Sequence, residues 1–444
     1  MSTEARRVAI VGGGMMGIAT ALELVGRSRA RITIIEKNAH LGGLSSPYTW
    51  DGVTWDRFYH VILSTDSDLL GFIRSIGLDG ELFWRETKSG FYDKGQLVSM
   101  SSMKDFLSFP FLSLWQKFRL GLGIMLSTRI RNTTKLDRIY VREWLTRLFG
   151  KRVYEKIWDP LLRSKLGAWR EKTSAAFISA TINRLYGARQ GSARVERMGH
   201  VRGGYNRILQ QARQRLESAG VQLLLDQEVT HVETVGSGSG REIAVRTRSE
   251  EHHFDRVVLT LPAPEVLRIT GHLDHRYWET LSEGSYLGVI CVLLILKRSL
   301  SPFYVINLLD RSLPFTGIVE ATNIVSPADV EGCHLLYLPK YVTADDELWA
   351  AEDRDVLEAF IGGLQRVSPG LIEKDILHAA VFRERHVQPL QEVDWLKRSV
   401  GFRTPVKGLY VVNTSMIYNS TLNNNAVVRL AASAVKELVS DERE

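Results

Sequence analysis

The chain has 444 residues, 44% of them hydrophobic and 24% charged, a composition that excludes a disordered polypeptide and a length that points to two domains. A formal charge of +7 is mild enough to read first as an ordinary basic enzyme and second as a protein with an anionic partner or membrane surface, and it calls for no nucleic acid. The two cysteines, Cys291 and Cys333, have no ligand spacing, which argues against a disulfide framework or metal site and for a reducing compartment; with no signal-like segment before the first strand and no apolar run near the about 20 residues that span a bilayer, a cytoplasmic place is expected, at most against the inner face of a membrane.

The first forty-odd residues organise the rest. Val8 to Val11 is a short apolar run of the kind a buried parallel strand needs. Gly12-x-Gly14-x-x-Gly17 follows at once, then a helix of small and apolar residues from Met15 to Leu24, then a second β-branched run, Ile32 to Ile35, ending in Glu36. Gly12 permits the turn, Gly14 admits a pyrophosphate to the backbone, and Gly17 lets helix and strand approach closely. The helix N-terminus directs unpaired N–H groups at the phosphates. Glu36 lies 19 residues past Gly17, close to the spacing of about 20 at which an acid binds the adenosine ribose. Dinucleotide binding is therefore the reading, against a purely structural glycine turn.

Lys37 to Leu44 (KNAHLGGL) adds a second glycine pair, Gly42-Gly43. Here the chain resembles the flavoprotein superfamily of amine oxidases, protoporphyrinogen oxidases, phytoene-type desaturases and UDP-galactopyranose mutase. The resemblance implies FAD, held at the first turn by Gly12, Gly14, Met15, Met16 and Gly17, at the ribose by Glu36 and Lys37, and near the flavin by Gly42, Gly43 and Leu44. The superfamily's usual form sets arginines around the pair, where this chain has His40 and Leu44.

Trp50 to His60 (WDGVTWDRFYH) carries the hairpin signal Asp51-Gly52. By resemblance to the mutase-like branch, His60, with Tyr59 before it, lies against the isoalloxazine; a core histidine is the competing reading. Ser67 to Ile76 reads as a helix closed by Gly77, and Phe91 to Val98 as a hairpin turning at Lys94-Gly95. Residues 104–131 mix apolar and aromatic side chains, among them Phe106, Trp115 and Phe118, with Lys117, Arg119, Arg129 and Arg131, and are broken by Pro110. That pattern suits two core helices over a substrate cavity, or a helix lying among lipid headgroups, and the two are compatible. Val141 to Phe149 and Tyr154 to Leu162 continue the helical part. The run from Trp158 to Phe177 is similar to protoporphyrinogen oxidase-like bacterial oxidoreductases and places Lys165 near the substrate, with Arg163 and Arg170 read as solvated.

Glycine returns at Gly199 and at Arg202-Gly203-Gly204-Tyr205, before a helix from Ile208 to Ser218 and a β-branched strand in which, by resemblance, the Val229 backbone holds the adenine. A hairpin tip at 236–240 and strands Ala244 to Thr247 and Phe254 to Leu261 follow. A second insert begins near Val266. Its strand candidates are Leu287 to Leu296, Phe303 to Leu309, Thr316 to Glu320, His334 to Leu338 and Ala379 to His386, which suggest an antiparallel sheet roofing the flavin, with a helix over Asp345 to Leu364. Gly408 to Val412 is the returning strand. Asn413 stands where the superfamily has an acid on the ribityl or pyrophosphate, Tyr418 follows on the substrate side, and a terminal helix opens near Asn425, Ala426 and Val427 toward flavin O2.

The expected fold is α/β: a Rossmann-like FAD-binding domain of the superfamily's type (1–65, 195–265 and 395–444) interleaved with an α+β substrate domain (66–194 and 266–394). The expected function is FAD-dependent oxidation of a hydrophobic, lipid-like or anionic small molecule, with His60, Tyr59, Lys165 and Tyr418 beside the substrate. The alternatives are a redox-neutral sugar-nucleotide mutase, an NAD-dependent dehydrogenase and a non-catalytic nucleotide-binding protein. No residue pattern sets the substrate or the oligomeric state.

Overall fold

Strand Arg7–Val11 pairs in parallel with Arg31–Ile35, Val8 opposite Ile32 and Val11 opposite Ile35, with helix Met15–Val25 connecting them. The computed structural model describes residues 5–130, 132–187, 189–190, 195–236, 242–271, 273, 275–418 and 420–440. Three further strands complete a five-stranded parallel sheet, in the order Gln222–Leu224, Arg31–Ile35, Arg7–Val11, Arg256–Leu259, Leu409–Val411. The continuous apolar runs are explained by burial on both faces. Val8 and Ile10 pack among helices Met15–Val25, Gly204–Ser218 and Asn424–Ser440, while Ala9 and Val11 face helix Ala263–Thr270 and a three-stranded antiparallel sheet, Val229–Val235, Glu242–Thr247 and Glu251–Phe254. The carboxyl ends of the central strands carry Gly12, Glu36, Thr260 and Val412, and a crevice at such ends is where open α/β sheets bind ligands.

The expected single strand from Phe254 to Leu261 is two. It changes sheets at Asp255, whose carboxylate accepts from the Arg7 backbone N–H at 2.7 Å and from the Arg7 guanidinium at 3.1 Å. Of the expected hairpin tip, residues 237–240 lie outside the described residues.

The second sheet has seven strands, ordered Ile376–Pro389, Tyr286–Leu296, His334–Val342, Gly317–Glu320, Val305–Leu308, Ser89–Asp93, Gln96–Ser99. It is antiparallel except where Val305–Leu308 runs parallel to Ser89–Asp93, because there a hairpin from the first insert joins strands of the second. All eleven residues of Tyr286–Leu296 are buried. Ile290, Val292 and Leu294 pack with helix Asp353–Val367, and Val289, Cys291 and Leu293 pack with Trp55 of the hairpin Pro47–Trp50/Val53–Asp56 and with Phe58 just after it. That hairpin and Ser89–Asp93/Gln96–Ser99 turn where expected, with positive φ at Asp51, Gly52, Lys94 and Gly95. The helix expected from Asp345 starts at Asp353. A short turn, Glu347–Trp349, precedes it, held back by the Trp349 indole on the Thr343 carbonyl at 2.7 Å and by Arg385 over the indole ring.

A helical layer lies beside this sheet: Met103–Ser108, Leu114–Ser127, Val141–Phe149, Asp159–Leu166 and Ala175–Gly187. Pro110 separates the first two, and Ser102 and Ser113 cap them through capping boxes with Asp105 and Gln116. Lys117 does not face solvent as a basic flank. It is buried, and its ammonium donates to the Leu107 carbonyl at the end of the first helix. Arg131 lies outside the described residues. No helix among the described residues is long and apolar enough to cross a membrane.

Candidate cofactor cleft and substrate chamber

The crevice is built from glycine backbone. Gly12, at φ 108°, donates to the Ile35 carbonyl at 2.9 Å and so ties the turn to the neighbouring strand. The Gly42 N–H donates to the Gly13 carbonyl at 2.8 Å, which brings Gly42-Gly43 alongside Gly14. The helix beginning at Met15 has no side-chain cap, so its first N–H groups remain available to an anion. Glu36 is buried. One carboxylate oxygen accepts from Gly13 N–H at 2.7 Å and the other from the Asn38 backbone and amide at 2.9 and 2.6 Å. The acid is thus fixed at the turn's edge, where an adenosine ribose would meet it. Lys37 is exposed beside it; Met15, Met16 and Val229 are buried, and Leu44 is half-buried.

Three observations match this cleft to a dinucleotide. A methyl group added to Gly14 would find only the Gly43 Cα within reach, at 3.8 Å, so an open cradle faces the helix N-terminus. The acid is in place. Across the sheet, buried Asn413 turns its amide oxygen to Ser415 (2.6 Å to the hydroxyl, 3.0 Å to N–H), while its Nδ2 has no partner. A buried donor without a partner is costly, and a ribityl hydroxyl or phosphate would satisfy it.

At the far end, His60 joins four segments of the chain. Its Nδ1 lies 3.5 Å from the buried Asp56 carboxylate and its Nε2 3.5 Å from the Ser45 hydroxyl, just past the Gly42-Gly43 loop. Its ring packs on Tyr205, centroids 4.6 Å apart. The Asn424 amide donates to Ser45 at 3.2 Å and is also bonded to the Tyr205 hydroxyl, which burial makes very hard to ionise. The second oxygen of Asp56 accepts from the Tyr205 backbone N–H at 3.0 Å, at the start of helix Gly204–Ser218. Asn425 is engaged elsewhere, because its side-chain oxygen caps helix Ser67–Ser75 at the N–H groups of Asp68 and Leu69. The Ala426 N–H is bonded to the Asn423 side chain at 3.0 Å, and Val427 donates to the Asn423 carbonyl at 3.1 Å.

From His60 the wall continues into the helical layer. The Tyr59 hydroxyl meets the Tyr341 hydroxyl at 3.1 Å, and burial raises the pKa of both phenols. The Lys165 ammonium lies 5.6 Å from the Tyr341 ring centroid. Desolvation, helped by nearby Arg184, brings its pKa down to about 8. Arg184 itself is neutralised by Asp66 through two bonds, at 3.0 and 2.7 Å. Arg163 is exposed as expected, whereas Arg170 is not a solvated charge: it is half-buried and ion-paired with Asp159 at 3.1 Å. Tyr418 is half-buried just past the turn Thr414–Met416 that carries Asn413 at its start.

The structure therefore links Tyr59 to Lys165 through Tyr341, with His60 next to Tyr59 in the chain. Sequence reasoning missed Asp56, Tyr205, Asn424 and Tyr341. The first two left a trace, Asp56 standing four residues before His60 and Tyr205 directly after Gly203-Gly204. Tyr341 left none.

A buried acid, an open glycine cradle at a helix N-terminus and the unpartnered Asn413 amide across the sheet are together the features of a flavin-binding protein of the glycine-rich type. The profile of the flavin-containing amine oxidoreductases matches residues 15–435, and the chain belongs to that family. Membership carries a flavin as the cofactor. The zeta-carotene desaturase of Synechocystis sp. is 26% identical over 206 residues, 41% of this chain and 42% of that protein. The mitochondrial protoporphyrinogen oxidase of Nicotiana tabacum is 25% identical over 173 residues, 37% of this chain and 33% of that protein. The matches thus span less than half the length of these curated relatives. The crystal structure of reduced UDP-galactopyranose mutase superposes with a TM-score of 0.73 at 16% identity, covering 99% of this chain and 97% of that one, a likeness of fold.

Proposed function

We propose that the protein oxidises a hydrophobic or anionic small molecule at a C–H bond, giving a C=C or C=N product, with bound FAD supplying the hydride acceptor at flavin N5. The observation that supports this reading is a run of contacts that starts at Ser45 and His60, just past the glycine cradle, and continues from the adjacent Tyr59 to Tyr341 and Lys165. Tyr59 and Tyr341 exclude water and present hydroxyls that stay protonated. His60, held between Asp56 and Ser45, and Tyr418 complete the proposed substrate side. Residues 1–65, 195–265 and 395–444 would form the cofactor domain, and 66–194 with 266–394 the substrate domain. Anaerobic addition of isoprenoids, tetrapyrroles and amines to the purified yellow protein is expected to bleach the flavin with one class and yield an oxidised product stoichiometrically.

The mutase alternative draws on His60 and on the uncharged Asn413 beside the cleft. A sugar nucleotide that is isomerised only by the pre-reduced protein, with no net oxidation, would establish it and end the oxidation reading.

On the same reading, the chamber's outer helices would lie against a lipid surface. Leu114, Trp115 and Phe118 are 75%, 67% and 59% exposed, far more than chance scatter of single apolar residues requires. Trp115 and Phe118 stack at 5.5 Å on the edge of a groove of about 300 Å³ that also holds Arg119 and Arg147. With basic Lys104 and Arg129 exposed nearby in the chain, anionic headgroups are the matching surface. Each large side chain contributes about 1.5 kcal/mol or more on insertion. The double variant Trp115→Ser/Phe118→Ser should therefore lose about a hundredfold in partitioning to anionic vesicles, measured by cosedimentation. Unchanged partitioning would remove the membrane from the picture.

A further inference from the structure

Lys165 is a cation with no anion among the described residues. It stands near the end of helix Asp159–Leu166, half-buried, and points at the Tyr341 face. The groups around it are accounted for. On its own helix, Asp159 is taken by Arg170 at 3.1 Å and Arg311 at 2.9 Å. From strand His334–Val342 it meets Tyr341, which stays neutral. From helix Ala175–Gly187 comes Arg184, a second cation, whose counter-ion Asp66 is fully engaged. Its helix neighbour Ser164 bonds the Thr316 carbonyl at 3.2 Å and brings no charge. No carboxylate among the described residues pairs with Lys165, and the one charged group that perturbs it is Arg184. A desolvated ammonium beside a second cation is unfavourable unless something anionic joins it. With Arg184 balanced by Asp66, Lys165 is the unbalanced positive charge here, and Tyr341, with Tyr59 bonded to it, is its aromatic neighbour.

We infer that Lys165 is the anion-binding end of the substrate chamber, pairing with the carboxylate of a substrate whose body is apolar and extends past Tyr341 and Tyr59 toward His60. The inference rests on the reading of this chamber as the substrate site, and it narrows that reading. A cationic amine, whose ammonium would sit against Lys165 and Arg184, is excluded from that end. The neutral isoprenoids are disfavoured relative to their acids, because they would leave the ammonium desolvated and unpaired. The cation–π contact holds the ammonium in place while the anion is absent.

The test uses the full chain with its flavin bound and four probes of equal length: octanoate, octyl phosphate, octanol and octylamine. Binding is read at pH 7 by thermal shift and by perturbation of the visible flavin spectrum. Octanoate should bind at least about tenfold more tightly than octanol, and octylamine more weakly than octanol. Octyl phosphate binding better than octanoate would overturn the carboxylate assignment in favour of a phosphate end. In Lys165→Gln the preference for octanoate over octanol should disappear, while Lys165→Arg keeps it. A second arm needs no variant that might misfold. Binding requires the ammonium, so octanoate affinity in the unaltered protein should hold below about pH 8 and fall tenfold per unit above it, while octanol affinity stays flat. Equal affinity for octanoate and octylamine, octanoate affinity independent of pH to 10, or octanoate binding that leaves the flavin spectrum unmoved would each overturn the inference. None of these results bears on whether the flavin is bleached by a substrate, which tests the oxidation itself.

Discussion

Gly17→Ala should give a colourless protein that unfolds at much lower denaturant concentration, while Gly14→Val should give a folded protein that is colourless all the same. The two glycines belong to one motif but face different neighbours. A Cβ on Gly17 would lie 1.9 Å from the Gly12 carbonyl oxygen and 3.1 Å from its carbon. Both partners are backbone, so no rotamer relieves the overlap. Helix Met15–Val25 must lift from the strand turn, at a cost of at least about 3 kcal/mol, and the turn that presents N–H groups to the phosphates is lost with it. A Cβ on Gly14 meets nothing closer than the Gly43 Cα at 3.8 Å. Val in its place leaves the fold intact and fills the cradle where a pyrophosphate would approach. Flavin content by absorbance, alongside urea unfolding, separates the two. If Gly14→Val retains a full complement of flavin, the cradle is not where the cofactor's phosphates lie.

The difference between those two glycines shows what the sequence displayed and what it hid. The GxGxxG spacing, the two β-branched runs and Glu36 are local, and local pattern suffices for a strand–helix–strand unit whose contacts are mostly with itself. The hairpin turns at Asp51-Gly52 and Lys94-Gly95 were legible for the same reason, since both residues of each turn take positive φ. The strand from Tyr286 was legible because burial on both faces leaves an unbroken apolar run. The run from Phe254 to Leu261 looked equally continuous, yet it serves two sheets, because Asp255 is drawn out by Arg7, 248 residues away in sequence. Lys117 read as a surface charge and is a buried cap on a carbonyl ten residues back. The chamber was the least legible part. Lys165 and Tyr59 were placed beside the substrate by resemblance, but Tyr341, which connects them, lies on the part of strand His334–Val342 beyond the expected end at Leu338. Chemistry assembled from segments this distant leaves no spacing to read.

Asp56→Ala should cost about 3 kcal/mol in unfolding free energy, because it strips a buried carboxylate from two partners at once. The Tyr205 N–H at 3.0 Å would lose its acceptor at the head of helix Gly204–Ser218, and His60 would lose the negative charge at 3.5 Å. The chain of consequences reaches the cofactor cleft, since His60 faces Ser45 and Ser45 is bonded to Asn424 at the start of the terminal helix. Asp56→Asn divides the effect. Its amide oxygen still accepts from Tyr205, so most of the stability should return, but it offers His60 no charge. If Asp56 positions His60, then Asp56→Asn and His60→Gln should each shift the flavin absorption spectrum in the same direction. Their double variant should then fall short of the sum, with a coupling of about 1 kcal/mol or more in a double-mutant cycle on stability. Additive effects, or an unmoved flavin spectrum in Asp56→Asn, would reduce Asp56 to a helix cap. The buried position of the carboxylate argues for the larger role: a helix start can be capped by a neutral Ser or Asn on the surface, whereas here a carboxyl group is kept 3% exposed, with the His60 imidazole 3.5 Å away. A coupling of that size would make the histidine the group that the ion serves, with the hairpin and the head of helix Gly204–Ser218 fixing the carboxylate between His60 and the Tyr205 N–H.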